Sequence, residues 1–269
     1  RVAVNRIWQW HFGKALMTTP SDFGVNGAMT SHPELLDWLA SELIEQGYSM
    51  KAIHRLIVTS ATYRRASSGN PQLVAANSVI DPENTLLWKF RLNRLEAEII
   101  HDAVLFAAGN LDLTIGGKSF RAAQIMVRRN NSAPTIGNYD NRTNRRGIYM
   151  GRGFSGSLEM MPELLQVFNA EDGQTTCAVR QCTITAPQAL YMLNNDLTEK
   201  AAARMGERLH KLSAGDLQQA VNLGYRIALS RFPSSKEREH ALSFLAAKPA
   251  RLGEFCWLLI NLTEFIFVK

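Results

Sequence analysis

Five times along this chain a short polar side chain is followed three residues later by Glu or Gln, at the edge of a stretch with helical apolar spacing. The pairs are Ser31 with Glu34, Asn93 with Glu96, Thr185 with Gln188, Asp196 with Glu199 and Ser234 with Glu237. Side chains spaced this way cap each other reciprocally and satisfy amides that a helix start otherwise leaves without partners. Each cap contributes about 0.5–2 kcal/mol. Five such coincidences specify a mainly α fold, and 46% hydrophobic residues supply the core it needs.

The boxes also locate helices. Behind Ser31, the residues Leu35, Leu36, Leu39, Leu43 and Ile44 fall on one face, and Gly47 ends the run. Ser49 caps a second helix with Ile53, Leu56 and Ile57 aligned. Asn93 opens a third, expected to turn Leu95, Ile99, Ala103 and Phe106 inward before Gly109. Near the N-terminus, Val4, Ile7 and Trp10 read as a buried face closed by Gly13. Residues 111–156 differ, with glycines at 116, 117, 137, 147, 151, 153 and 156. There the β-type runs Ala123 to Val127 and Gly147 to Met150 are expected to pair as a small hairpin. The whole of 1–269 reads as one helical domain: helical 1–110, an Arg/Gly-rich loop insertion at 111–156, and helical 157–269.

That insertion also concentrates the charge. Lys118, Arg121, Arg128, Arg129, Arg142, Arg145, Arg146 and Arg152 face the single acid Asp140, whereas the chain as a whole carries only +6. An anionic partner is therefore expected there, bound by Arg128, Arg129, Arg142, Arg145 and Arg146. Anionic glycan or an acidic protein suits such a face. About half of these arginines are expected to act as internal staples on carbonyls and carboxylates. Nucleic acid is disfavoured, because no basic recognition helix or RNA-binding signature accompanies the charge. The apolar run Phe255 to Ile260 is far shorter than the ~20 residues that span a bilayer. The opening Arg1-Val2-Ala3 carries no initiator Met or leader, so the chain reads as a fragment of a longer protein.

Candidate chemistry is sparse. Trp8, Trp10, His11 and Phe12 offer rings that stack on sugars or bases, against the alternative of core packing. Asp22-Phe23-Gly24 resembles a kinase metal triplet without the rest of that set, and reads as a turn with Gly24 at positive φ. Six histidines fall at spacings that give zinc no handle. His101-Asp102 beside Glu98 is a possible acid–base group, although neighbouring helix positions diverge. Glu96 with Glu98, or Glu171 with Asp172, supplies paired carboxylates for glycoside chemistry. An enzymatic site would draw on His11, Asp22, His32 or Glu96 beside Arg180. Cys177 and Cys182 lie close enough to bridge locally, and Cys256 sits in a core pattern. Thr183 follows Cys182, so the haem-attachment pattern is missing, and no cofactor or metal is expected in this chain.

Three segments near the N-terminus carry a family likeness: Asn5 to Gly13, Pro20 to Gly24 and Ser31 to Ala40. The likeness continues through Ile57 to Arg64, Arg94 to Glu98, Pro187 to Asn194 and Asn261 to Phe265. Together these segments resemble the domain of unknown function 1553 family, common in planctomycetes. The resemblance implies the C-terminal part of a large exported, extracytoplasmic bacterial protein, beside companion domains and often a cytochrome c module. Polysaccharide breakdown is the implied setting. The implied role is an uncharacterised binding or scaffold module, with a hydrolase or cytochrome-linked oxidoreductase of complex carbohydrate as the alternative. No catalytic residue comes with the family. Where it commonly reads Phe-Asp-x-Pro-Asp, this chain has Phe168-Asn169-Ala170-Glu171-Asp172.

Overall fold

The computed structural model describes residues 1–120, 142–151, 162–171, 177–247 and 251–268. Among the described residues the fold is mainly α, with eleven α-helices and one two-stranded sheet. None of those helices is long and apolar enough to cross a membrane. The chain divides into two compact units, Arg1–Arg94 with Phe267–Lys269, and Leu95–Ile266.

The first unit contains α1 (Val2–Phe12), α2 (Pro33–Glu45), α3 (Met50–Thr59) and α4 (Pro71–Ile80). It also holds the antiparallel strands β1 (Asn93–Arg94) and β2 (Phe267–Val268), paired Asn93 to Val268 and Arg94 to Phe267. Val4, Ile7, Trp8 and Phe12 meet Leu36, Leu39, Leu43, Ile53, Ile57 and Phe90 in its core. Trp8, not Trp10, belongs to this core. Positions 4, 7 and 8 form the continuous stripe of an α-helix, and Trp10 is rotated out to 60% exposure. Asn5 is buried because its amide both donates to the Met17 carbonyl (3.0 Å) and accepts from the Met17 N–H (2.9 Å). The Ser31 box does not form. His32 occupies the N-cap, Pro33 the first turn, and the Ser31 hydroxyl donates to the Leu16 carbonyl instead (3.2 Å). Ser49 caps α3 as expected, accepting from the Ala52 N–H at 3.3 Å.

The second unit is built from α5 (Ala97–Ala108), α6 (Glu163–Val167), α7 (Ala186–Asn194), α8 (Asp196–Leu212), α9 (Leu217–Leu229), α10 (Ser235–Ala247) and α11 (Leu252–Asn261). Helix α8 packs between α5 and α11, and Ile100, Val104, Leu165, Met205, Leu209, Leu245, Cys256 and Ile260 fill the core. Two of the five boxes close as expected. The Thr185 N–H donates to Gln188 Oε1 (3.2 Å), and Ser234 and Glu237 cap each other in both directions (2.7 and 3.3 Å). Helix α8 starts one residue early, with Asn195 accepting from the Leu197 N–H at 2.9 Å. Asn93 sits in β1, so Glu96 takes the N-cap of α5. Ala97, Ile100, His101, Val104 and Leu105 of α5 face inward, while Ile99 and Phe106 face out. The expected strand Gly147 to Met150 is a single 3₁₀ turn, Gly147–Tyr149, followed by an isolated parallel bridge between Met150 and Phe120. The other expected strand, Ala123 to Val127, lies outside the described residues.

Candidate functional site

The first turns of α5 carry Glu96, Glu98 and Asp102, and each of these acids holds an arginine from a distant segment. The fork of Arg180 closes on Glu98, Nη1 to Oε2 at 2.7 Å and Nη2 to Oε1 at 3.0 Å, and Nη1 also reaches Glu96 Oε2 at 3.0 Å. Hydrogen bonding to Glu98 raises the Arg180 guanidinium's affinity for its proton further still. Burial pushes the Asp102 carboxyl up. Hydrogen bonds from His101, the Gly147 amide and Arg146 outweigh that push and hold it below the usual carboxylate range. The Gly147 N–H reaches Asp102 Oδ1 at 2.5 Å and Arg146 Nε reaches Oδ2 at 3.2 Å. This close approach requires glycine at 147, since a Cβ there would stand 2.6 Å from the Glu98 carbonyl oxygen.

These pairs frame a cavity of about 580 Å³, lined by Glu96, Glu98, Ile99, Asp102, Ser119, Arg146, Ile148, Met150, Gly151 and Arg180. Its polar wall alternates carboxylate and guanidinium. Ile99 and Ile148, 49% and 73% exposed, add aliphatic surface. His101 lies beside Asp102 in sequence but lines a different cavity in the same unit.

Of the five arginines expected to form one solvent-facing set, the three described, Arg142, Arg145 and Arg146, take separate partners. Arg145 is fully buried. It donates to the carbonyls of Lys118, Gly116 and Thr114, and its guanidinium stacks 3.9 Å from the centre of the Tyr149 ring. Arg145 is thus an internal staple. Arg142 is half-exposed and pairs with Asp112 at 3.3 Å, and Arg146 is half-exposed against Asp102. Arg128 and Arg129 lie outside the described residues.

Of the residues named for an enzymatic site, only Glu96 and Arg180 meet. His11, Asp22 and His32 belong to the first unit, each with a local partner. His11 Nε2 lies 2.7 Å from His54 Nδ1, with the Tyr63 ring edge-on beside it. Burial, with the neighbouring His54, lowers the His11 pKa. Asp22 Oδ1 accepts from the Gly24 N–H at 2.9 Å, a turn that does not place Gly24 at positive φ. His32 Nδ1 sits 2.9 Å from the Ser31 hydroxyl at the start of α2.

Asn169, where the resembling family has Asp, adopts φ 57° and accepts from Thr183 Oγ1 (2.8 Å) and Gln188 Nε2 (3.1 Å). Asn tolerates this left-handed geometry, and its carbonyl ties α6 to α7. Cys177 and Cys182 are unbridged thiols, and Cys177 donates to Glu171 at 3.3 Å. Asp172 lies outside the described residues. Among the described residues no group of three or more His, Cys, Asp or Glu side chains is placed to hold a metal ion.

Sequence reasoning named Glu98 and Arg180 separately and missed their pairing. The two are 82 positions apart, and no spacing rule links them. No curated protein and no solved structure matches the chain. Residues 1–245 match the model of the family described as PSD1, protein of unknown function (DUF1553). With that match spanning most of its length, the chain belongs to the DUF1553 family.

Proposed function

We propose that the chain is a binding module of a larger exported bacterial protein, and that its ligand is a hydroxyl-rich carbohydrate seated in the 580 Å³ cavity beside α5. One observation carries this reading: the two guanidiniums of that cavity, Arg146 and Arg180, are already met by three carboxylates, Glu96, Glu98 and Asp102. A polyanion would gain nothing net from such a wall. Hydroxyl groups do gain, since they donate to carboxylates and accept from arginine at once. Ile99 and Ile148 offer aliphatic contact to the C–H faces of a sugar ring. The export and the companion domains rest on the family resemblance. An anionic glycan, expected from the charge of residues 118–152, is the second reading, carried by the half-exposed Arg142 and Arg146.

The cavity is suited to holding rather than cleaving. Glycoside cleavage needs a carboxyl that is protonated when it donates. Both oxygens of Glu98 are held by Arg180, and Asp102 keeps its proton off at neutral pH. The test is calorimetric titration with neutral oligosaccharides and their sulfated counterparts. Neutral chains are expected to bind with weak salt dependence, and Arg180→Gln or Glu98→Gln to weaken binding about tenfold, roughly one charge-assisted hydrogen bond. Exclusive binding of sulfated chains, lost steeply with added salt, overturns the proposal in favour of the second reading.

A further inference from the structure

A cavity of about 690 Å³ opens elsewhere in the second unit, and one wall is the ring of His101. The residue is only 4% exposed, and its ring stacks on Phe120, ring centres 5.8 Å apart. Its Nδ1 lies 3.4 Å from Asp102 Oδ1. Successive helix positions normally diverge, yet here the carboxylate turns back to the preceding ring while the Gly147 amide and Arg146 fix it from behind. A carboxylate at Nδ1 holds a neutral imidazole in the tautomer whose Nε2 carries the lone pair. Among the described residues that nitrogen has no hydrogen-bond partner, and His101 is one of the residues that line the cavity. A nearly buried imidazole, oriented by a carboxylate at the wall of a cavity, has the posture of a proton acceptor.

The remaining walls select the substrate. Lys200 pairs with Asp196 at 2.8 Å, and Arg204 and Glu163 balance each other in number, so the described lining residues carry no net charge. Asn110, Asn144 and Tyr191 supply neutral hydrogen-bond donors, and Leu105, Leu164 and Leu197 an apolar floor. Burial keeps the Tyr191 phenol protonated far beyond neutral pH. Phosphoryl groups would want a cationic clamp and glycosides a carboxyl pair; an uncharged acyl group wants a base and neutral donors.

We propose that this cavity hydrolyses uncharged carboxylic esters, with His101 as the general base. His101 Nε2 takes a proton from water as the water oxygen bonds to the ester carbonyl carbon. The carbonyl electron pair moves onto its oxygen, which the neutral donors stabilise. Collapse of that adduct breaks the bond to the alkoxide, and the alkoxide takes the proton from Nε2. The products are an alcohol and a carboxylic acid, which loses its proton to solvent.

The experiment follows hydrolysis of triacetin and p-nitrophenyl acetate by the whole chain, wild type against His101→Gln. The wild type is expected to exceed the buffer rate, and the variant to fall about 10²–10⁴-fold with an unchanged melting profile. Diethyl pyrocarbonate treatment of the folded wild type, mapped by mass spectrometry, provides a readout that does not depend on the variant folding. Carbethoxylation of His101 should parallel the loss of turnover, and saturating triacetin should slow it. A wild-type rate equal to buffer, a His101→Gln variant with full rate, or a His101 that reacts only in urea each overturns the proposal.

Discussion

Arg145 carries a permanent charge at zero exposure, and three backbone carbonyls with one aromatic ring are among the partners that make that tolerable. Lysine keeps the charge but not the planar fork. Arg145→Lys should therefore destabilise the chain by roughly 1–3 kcal/mol, the cost of unmade buried hydrogen bonds. A lowered urea midpoint and faster amide exchange over residues 112–118 would register the loss. A second consequence concerns pH. Burial and His54 depress the His11 pKa, so the unfolded chain, near 6.5, takes up that proton first. The contribution of His11 is thus fully present at neutral pH and is lost as pH falls below about 6.5. Urea midpoints taken from pH 7.5 down to 5.5 should drop less steeply in His11→Gln than in the wild type. At this scale the sequence was informative about residue type and silent about partner. Composition marks Arg145 as cationic, but only the path of residues 114–118 decides that carbonyls surround it.

Helix α8 meets α11 through glycine, and the consequence runs against helix propensity. Alanine is favoured over glycine by about 1 kcal/mol inside a helix. A Cβ on Gly206, however, would lie 2.8 Å from the Gly253 backbone nitrogen and 3.0 Å from its Cα. Backbone cannot yield as a side-chain tip can, so Gly206→Ala should lower the melting temperature, by an amount corresponding to about 1–3 kcal/mol. Gly253→Ala is the control. Its Cβ would meet Ala203 Cα at 3.6 Å, ordinary contact, and the melting temperature should hold or rise. Helix faces were legible where one stripe is apolar and the rest polar. Leu36, Leu39 and Leu43 of α2 and Ile53 and Ile57 of α3 are buried as their spacing requires. Helix α5 is apolar nearly all round, so periodicity alone could not choose between Ile99 with Phe106 and Ile100 with Val104. Capping behaved alike: Ser234 with Glu237 closed even though the Arg231 fork also holds the Glu237 carboxylate, whereas Asn93 was drawn into a strand pair with Val268.

Among the described residues two separate apolar clusters are buried, one around Ile7 and Leu39 and one around Met205 and Ile260. Four of the five tryptophans, Trp8, Trp10, Trp38 and Trp88, lie in the first unit, and only Trp257 lies in the second. Core truncations to alanine cost roughly 2–5 kcal/mol, enough to separate transitions. Leu39→Ala should lower the urea midpoint seen by tryptophan fluorescence more than that seen by far-UV circular dichroism. Met205→Ala should do the reverse, because most helix belongs to the second unit. Coincident shifts in both variants would show a single cooperative unit instead. By itself the sequence determined the helical class, the main helix positions and the family, because capping and apolar spacing act over three or four residues. Tertiary structure alone decided which acids meet which arginines, that Arg145 turns inward, and that Asp102 reaches back to His101. Those outcomes depend on contacts between segments up to 82 positions apart, a range over which side-chain chemistry is legible but distance is not.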